Sequence, residues 1–312
     1  MKKLALLLLA LAIVIPAFAD DAKVLPAGVL RTTIAGIYNT FDEQYDKDGD
    51  KFDAPNGKVS VFNLAGALEY GATDQITIAL QWTPGYNVWS EVEDNDKANL
   101  NGPMGLFIGA KGQILGPNGF VPNDTMRFAA AAGLLVPLSN PDWEEEYDNV
   151  VAGDDFQAKE INNGALGIGA RLYFDYLVSS SFFVNLYNET IFYLPVDKNG
   201  TSPNPAGTDQ EYKYGYKTTF EVEPVYTYPV NEKLDITGSL PFNWVLTPDY
   251  EVEGNEVDDS ATSFLKMTPY VAAFFKTTMP FELKAGYSIP LMGKNENVAS
   301  TVIFQFKSYL KF

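Results

Sequence analysis

Eight charged residues share a placement in this chain that suggests joint chemistry, namely Arg31, Glu69, Lys111, Arg127, Arg171, Glu189, Lys217 and Glu221. Each sits in a segment of alternating apolar residues, and each falls on the opposite parity from them. Around Arg171, for example, Leu166, Ile168, Leu172, Phe174 and Tyr176 share one parity, while Arg171 and Asp175 take the other. In a strand, alternate side chains point to opposite faces, so parity separates two environments. Acids and bases gathered on one face could select among small ions moving along it. They could equally neutralise one another and hold a shape. Phe107, Tyr173, Phe183, Tyr187, Tyr193, Tyr270, Phe274 and Tyr309 take the same parity as the charges. Their rings could stack against a planar or apolar solute, or pack among themselves.

Catalysis finds little support. The chain contains no His and no Cys, which removes Ser-His-Asp chemistry, imidazole and thiolate metal sites, and disulfides. Ser, Asp, Glu and Lys remain but form no recognisable constellation, so no enzyme activity and no cofactor are expected. Asp46-Lys47-Asp48-Gly49-Asp50 offers closely spaced carboxylates that could hold Ca²⁺. The run departs from the EF-hand order and lacks the closing Glu, so it reads first as a solvated acidic loop. Asp142-Trp143-Glu144-Glu145-Glu146 reads the same way. Divalent cations are one partner such loops could take. With 22 basic and 40 acidic side chains and a formal charge of −18, the chain repels nucleic acid.

The elements that carry these residues are long. Alternating segments lie near 27–41, 60–70, 76–89, 104–115, 126–138, 165–177, 181–194, 212–228, 234–246, 262–278, 281–291 and 301–312. Strands of soluble sandwiches run about 5–6 residues, whereas a tilted membrane-spanning strand needs about 9–11. Short links (Gly71 to Gln75, Gly116 to Thr125, Val178 to Ser180, Pro229 to Lys233, Met279-Pro280) alternate with long acidic ones (42–59, 90–103, 139–164, 195–211, 247–261, 292–300). That is the pattern of short periplasmic turns and long external loops in outer-membrane barrels. A charge on the lipid face of such a barrel costs about 2–4 kcal/mol at the midplane for Arg or Lys, which explains why the strand charges share one parity. Tyr38, Tyr70, Trp82, Phe182, Phe192 and Trp244 lie near strand ends on the other face, where interfacial girdles belong. The expected fold is all-β: a transmembrane, antiparallel up-and-down barrel of about 12 strands over residues 20–312.

Residues 1–19 read as a secretory signal peptide. Lys2 and Lys3 precede an apolar run from Leu4 to Ile15, then Pro16 and Ala17-Phe18-Ala19, with cleavage expected before Asp20. The run is too short for a permanent membrane helix.

The last twelve residues, TVIFQFKSYLKF, place Val302, Phe304, Phe306, Leu310 and Phe312 on one face and Gln305, Lys307 and Lys311 on the other. They resemble the closing strand of an outer-membrane barrel, and terminal Phe312 is similar to the signal read by barrel-assembly machinery. That resemblance implies outer-membrane lipid and the assembly machinery as partners. Leu25-Pro26-Ala27-Gly28-Val29, Phe41-Asp42 and Tyr45-Asp46-Lys47-Asp48-Gly49 resemble the N-terminal region of a family of outer-membrane transporter barrels. That family includes the phenol-degradation MetA-pathway proteins and is loosely similar to FadL-type importers of hydrophobic compounds. FadL-type barrels carry an N-terminal plug. With only Asp20 to Pro26 ahead of the first strand, a plug of that kind is expected to be absent here, and hydrophobic specificity is not carried over. Two functional readings follow. The first is a porin-like channel in the cell outer membrane, passing small solutes by diffusion along the charged and aromatic face. The alternative is a non-conducting structural or adhesive barrel that acts through its loops. A tight turn centred on Ser179 would set Arg171 opposite Tyr187, with Glu189 as its diagonal neighbour.

Overall fold

The computed structural model describes residues 21–54, 57–92, 102–138, 163–199 and 209–312. The expected signal peptide and the acidic run Asp142 to Glu146 lie outside the described residues. Twelve spanning strands follow in order: β1 Val29–Phe41, β2 Val59–Gly71, β3 Ile76–Val92, β4 Leu106–Leu115, β5 Met126–Val136, β6 Gly167–Leu177, β7 Phe182–Tyr193, β8 Tyr216–Asn231, β9 Leu234–Ser239 continued by Phe242–Thr247, β10 Thr262–Met267 continued by Tyr270–Phe275, β11 Phe281–Lys294 and β12 Ser300–Lys311. Each pairs antiparallel with the next, and β12 closes on β1 from Val29↔Lys311 to Thr40↔Ser300. Closure leaves no edge strand, as a wall facing lipid requires. The expected segments all appear, within a few residues at their ends.

Burial runs inside out. The largest fully buried side chains include Asn39, Asn63, Asn87, Asn185, Asn243 and Asp175, while Leu134, Leu172, Ile168, Val271 and Phe304 are about half exposed or more. A water-soluble fold reverses this order. Here the exposed apolar belt is the lipid face, and the buried polar residues line the lumen. Inward asparagines bond across strands: Asn87 Nδ2 donates to Asn63 Oδ1 at 3.0 Å, and Thr301 Oγ1 to Asn39 Oδ1 at 2.7 Å.

β9 and β10 are each interrupted by a proline, Pro241 and Pro269, and the flanking strands carry Pro224 and Pro290. Proline supplies no ladder N–H. Remaining amides reach proline carbonyls instead: Leu240 N to Pro224 O (3.2 Å), Thr268 N to Pro241 O (3.0 Å) and Tyr287 N to Pro269 O (3.2 Å). A buried hydroxyl pair, Thr268 Oγ1 to Ser288 Oγ at 3.1 Å, adds a side-chain link.

The long connections carry structure of their own. Glu43–Tyr45 pairs with Lys51–Asp53, and this hairpin meets the β11–β12 loop through Tyr45 N to Glu296 O (2.7 Å) and Val298 N to Glu43 O (2.9 Å). Val196–Asn199, Asp209–Lys213, Glu251–Val252 and Asn255–Glu256 form a separate small sheet. Lys213 belongs to that sheet and pairs with Glu211 at 2.8 Å, so the segment expected from 212 joins the wall only at Tyr216. The strand ends before Tyr214-Gly215 because Gly215 takes a positive φ of 66°.

Candidate solute pathway

The lumen holds a segment that the sequence did not place there. Residues 21–26, ahead of β1, run inside the barrel wall rather than away from it. Ala22 is fully buried against Ala129, Tyr173 and Tyr187. Its amide donates to Asp175 Oδ2 at 3.1 Å, and the Leu25 amide donates to Thr77 Oγ1 at 2.8 Å. Lys111 Nζ donates to the Asp21 carbonyl at 2.8 Å. Burial acts to raise the pKa of the Asp21 carboxyl, but Lys23, Arg127 and Lys111 hold it well below the usual carboxylate range. The few residues ahead of β1, expected to form no plug of the FadL kind, are nonetheless a short N-terminal insert in the half of the lumen nearer the chain termini. The insert has room because Ala129 on β5 is small where Ala22 packs, and Gly71 on β2 has no Cβ to meet the carbonyls of Leu25 and Pro26, whose oxygens would both lie within 2.7 Å of it.

Beside the insert lies a cavity of about 440 Å³, bounded by β1–β6 and β10–β12. Four of the candidate residues reach it: Arg31, Glu69, Lys111 and Arg171. Arg31 Nε lies 2.6 Å from Glu69 Oε2, and Gln81 Nε2 donates to Glu69 Oε1 at 3.4 Å. Arg171 pairs through Nε with Glu189 and donates through NH1 to Gln81 Oε1 at 2.5 Å. Arg31, Glu69, Gln81, Arg171 and Glu189 thus form one chain of contacts along the inner wall. Arg127 lies deeper beneath the insert, 2.6 Å from Asp175 and 3.9 Å from Asp21.

Arg171 and Glu189 meet as expected, but the register differs. Arg171 stands directly opposite Glu189, and Tyr187 opposite Tyr173. The turn is centred one residue later than Ser179, because Ser179 Oγ accepts from the amides of Ser181 (3.2 Å) and Phe182 (3.0 Å). That side-chain turn moves the start of β7 and shifts the pairing by two residues.

Cations and rings are stacked in the lumen. The Arg171 guanidinium lies 3.7 Å from the centroid of Phe107, Lys111 Nζ 4.4 Å from Tyr173 and Lys284 Nζ 4.0 Å from Tyr270. Phe107 lies flat because Gly109, Gly133 and Gly169 stand opposite one another on β4, β5 and β6. A Cβ on these glycines would come within 2.7, 2.6 and 2.6 Å of the Phe107 ring. The row of glycines is a floor for the ring, and the ring is a platform for the guanidinium. Parity could not reveal it, since glycine has no hydropathic preference to mark a face.

Toward the outer mouth, Glu221 accepts from Asn243 Nδ2 and is nearly fully buried. Lys217 lies further out on the same strand, near Glu296 of the β11–β12 loop. Burial pushes the Glu296 carboxyl up to about 8, against the opposing pull of Lys217, Thr262, the Asn297 amide and Lys266. Glu296 was not among the sequence candidates, because a lone acid in an acidic loop carries no signal of being folded inward. The Asp46 carboxylate accepts the amides of Asp48 (2.8 Å) and Asp50 (2.9 Å) through one oxygen, forming a turn. Among the described residues, no group of three acidic side chains is arranged to hold a metal ion.

No protein-family model matches the chain, and no curated protein matches its sequence. Among solved structures, an outer-membrane channel from Pseudomonas putida F1 superposes with a TM-score of 0.69 at 14% identity, over 94% of this chain and 100% of that one. A Pseudomonas aeruginosa FadL homologue gives a TM-score of 0.43 at 9% identity, over 91% and 90% of the two chains. The β domain of the Bordetella autotransporter Brka gives 0.47 at 9% identity, over 89% and 98%. The last two likenesses are too low to bear on this protein. The first establishes the fold: this chain is an outer-membrane-type β-barrel, as the closing strand and the transporter-like N-terminal region implied.

Proposed function

We propose that this protein is an outer-membrane channel for small solutes, with residues 1–19 removed as a signal peptide and residues 21–26 acting as a stopper in the periplasmic half of the lumen. The observation that carries this reading is a cavity of about 440 Å³ enclosed by a closed, polar-lined barrel and bordered by the insert. Twelve-stranded barrels lie between eight-stranded ones filled by side chains and porins of 16 or more strands with open channels. A mobile stopper would reconcile a narrow bore with passage. The insert suits that part: it is tied by a few hydrogen bonds to side chains and to one ammonium, not by a strand ladder.

The chain has no Cys, so a paired Ala22→Cys, Ala129→Cys variant can be locked without side reactions. Single-channel conductance in planar bilayers is expected to be low when oxidised and to rise on reduction. Deletion of residues 21–26 should give the larger, steady conductance. Equal conductance in all three states removes the stopper. No conductance in any of them favours the non-conducting structural barrel, which the filled periplasmic half of the lumen also suits.

A further inference from the structure

We infer that the cavity beside the insert binds a small organic monoanion, a carboxylate on a compact apolar or aromatic body, and that Lys111 reads its charge. This deepens the channel reading and rests on it for access to the cavity.

Five cations, Lys23, Arg31, Lys111, Arg171 and Lys307, line the cavity. Four of them have a carboxylate of their own: Lys23 with Asp21 (2.7 Å), Arg31 with Glu69 (2.6 Å), Arg171 with Glu189, and Lys307 with Glu282 (3.5 Å). Among the described residues, Lys111 has no carboxylate within ion-pair distance. It is also nine-tenths buried, at 9% exposure. Its ammonium has three donors. One goes to the Asp21 carbonyl at 2.8 Å, and the Tyr173 ring lies 4.4 Å away. A buried cation with no carboxylate in direct contact is costly, and an anionic ligand would supply that contact, which Asp21 makes only through its backbone carbonyl.

The count of one unpaired cation favours a single negative charge. A neutral solute would leave Lys111 as it is, and a dianion would bring one charge too many. The apolar part of the lining points to a body behind the charge, with Val24, Leu25, Ala110, Ala131, Phe107 and Phe274 among it. The volume, about 440 Å³, lies in the range of small-molecule sites. A bare inorganic anion would leave that surface uncovered. Ala131 stands between Lys111 and Arg171 in the pairing register, and its small side chain keeps the space beside the ammonium open.

The test is calorimetric titration of the full chain in detergent with benzoate, benzyl alcohol, acetate and phosphate. Benzoate is expected to bind at least about tenfold more tightly than the other three. Lys111→Met should weaken benzoate at least about tenfold, the loss expected for a charge-assisted hydrogen bond. Lys111→Arg should restore most of it. Ala131→Leu fills the cavity without touching the charge, and should also weaken benzoate at least about tenfold. Equal affinity for benzoate and benzyl alcohol overturns the inference, as does unchanged benzoate binding in Lys111→Met. If Lys111→Met does not fold, unchanged binding in Ala131→Leu overturns it instead. Binding is read here without conductance. A barrel that binds benzoate but never conducts keeps this site and loses the channel; one that conducts without binding benzoate does the reverse.

Discussion

At the scale of single residues, the floor beneath Phe107 is a tight packing detail of the lumen. Its ring lies on Gly109, Gly133 and Gly169, with Arg171 above it. Gly169→Ala would set a Cβ 2.6 Å from Cε2 of Phe107, so the ring must lift and carry the guanidinium with it. Overpacking of this kind costs about 1–3 kcal/mol, and urea unfolding followed by heat-modifiable mobility should register it. Phe107→Leu in the same background should regain part of the loss. If Gly169→Ala is as stable as the parent, the ring is not held by the glycine row. Parity had put Phe107 and Arg171 on one face, but not the glycines that let the two stack. Glu189 was also legible as a partner of Arg171, whereas its register depended on a Ser179 turn that strand patterning does not encode.

Strands and loops make separate predictions. Leu134 faces lipid on β5 at 47% exposure, three residues from inward Ala131. Leu134→Arg should cost roughly 2–4 kcal/mol near the midplane, whereas Ala131→Arg should be milder for the wall and act by filling the cavity. Equal loss of heat-modifiable folding in both variants would contradict the two-face assignment. The β11–β12 loop should respond to pH. Its Glu296 carboxyl is raised from an ordinary 4.5 to about 8 by burial. The docked loop then binds a proton that the released loop gives up. Docking is therefore fully favoured below about 4.5 and weakens as pH rises toward about 8, then levels off. Labelling of Ala299→Cys by a membrane-impermeant thiol reagent, each rate divided by that of the Glu296→Gln counterpart, should rise across this window. A flat ratio would rule out Glu296 as the cause.

For the whole molecule, the even strand number returns both ends to one side, and Phe312 N bonds Gly28 O at 2.9 Å there. A tag inserted near Asp48 should be reached by antibody on intact cells, and one near Asp74 should not. Labelling at Asp74 from outside would invert the assignment of sides. The sequence by itself determined the barrel, its strand number, the alternation of turns and loops, and the face on which Arg31, Glu69, Lys111, Arg127, Arg171, Glu189 and Glu221 lie. It could do so because lipid on one side and water on the other impose a two-residue period on every strand, and period is a local property. Only the tertiary structure decided what fills the bore. Whether residues 21–26 hang free or enter the lumen depends on space left by Gly71 and Ala129 on strands far along the chain, and on Asp175, Lys111 and Thr77 accepting and donating to their backbone. Among the described residues, the same closure around a common axis leaves Lys111 without a carboxylate at ion-pair distance while its neighbours are paired. Pairing of that kind is a matter of distance across the barrel, and no spacing along the chain records it.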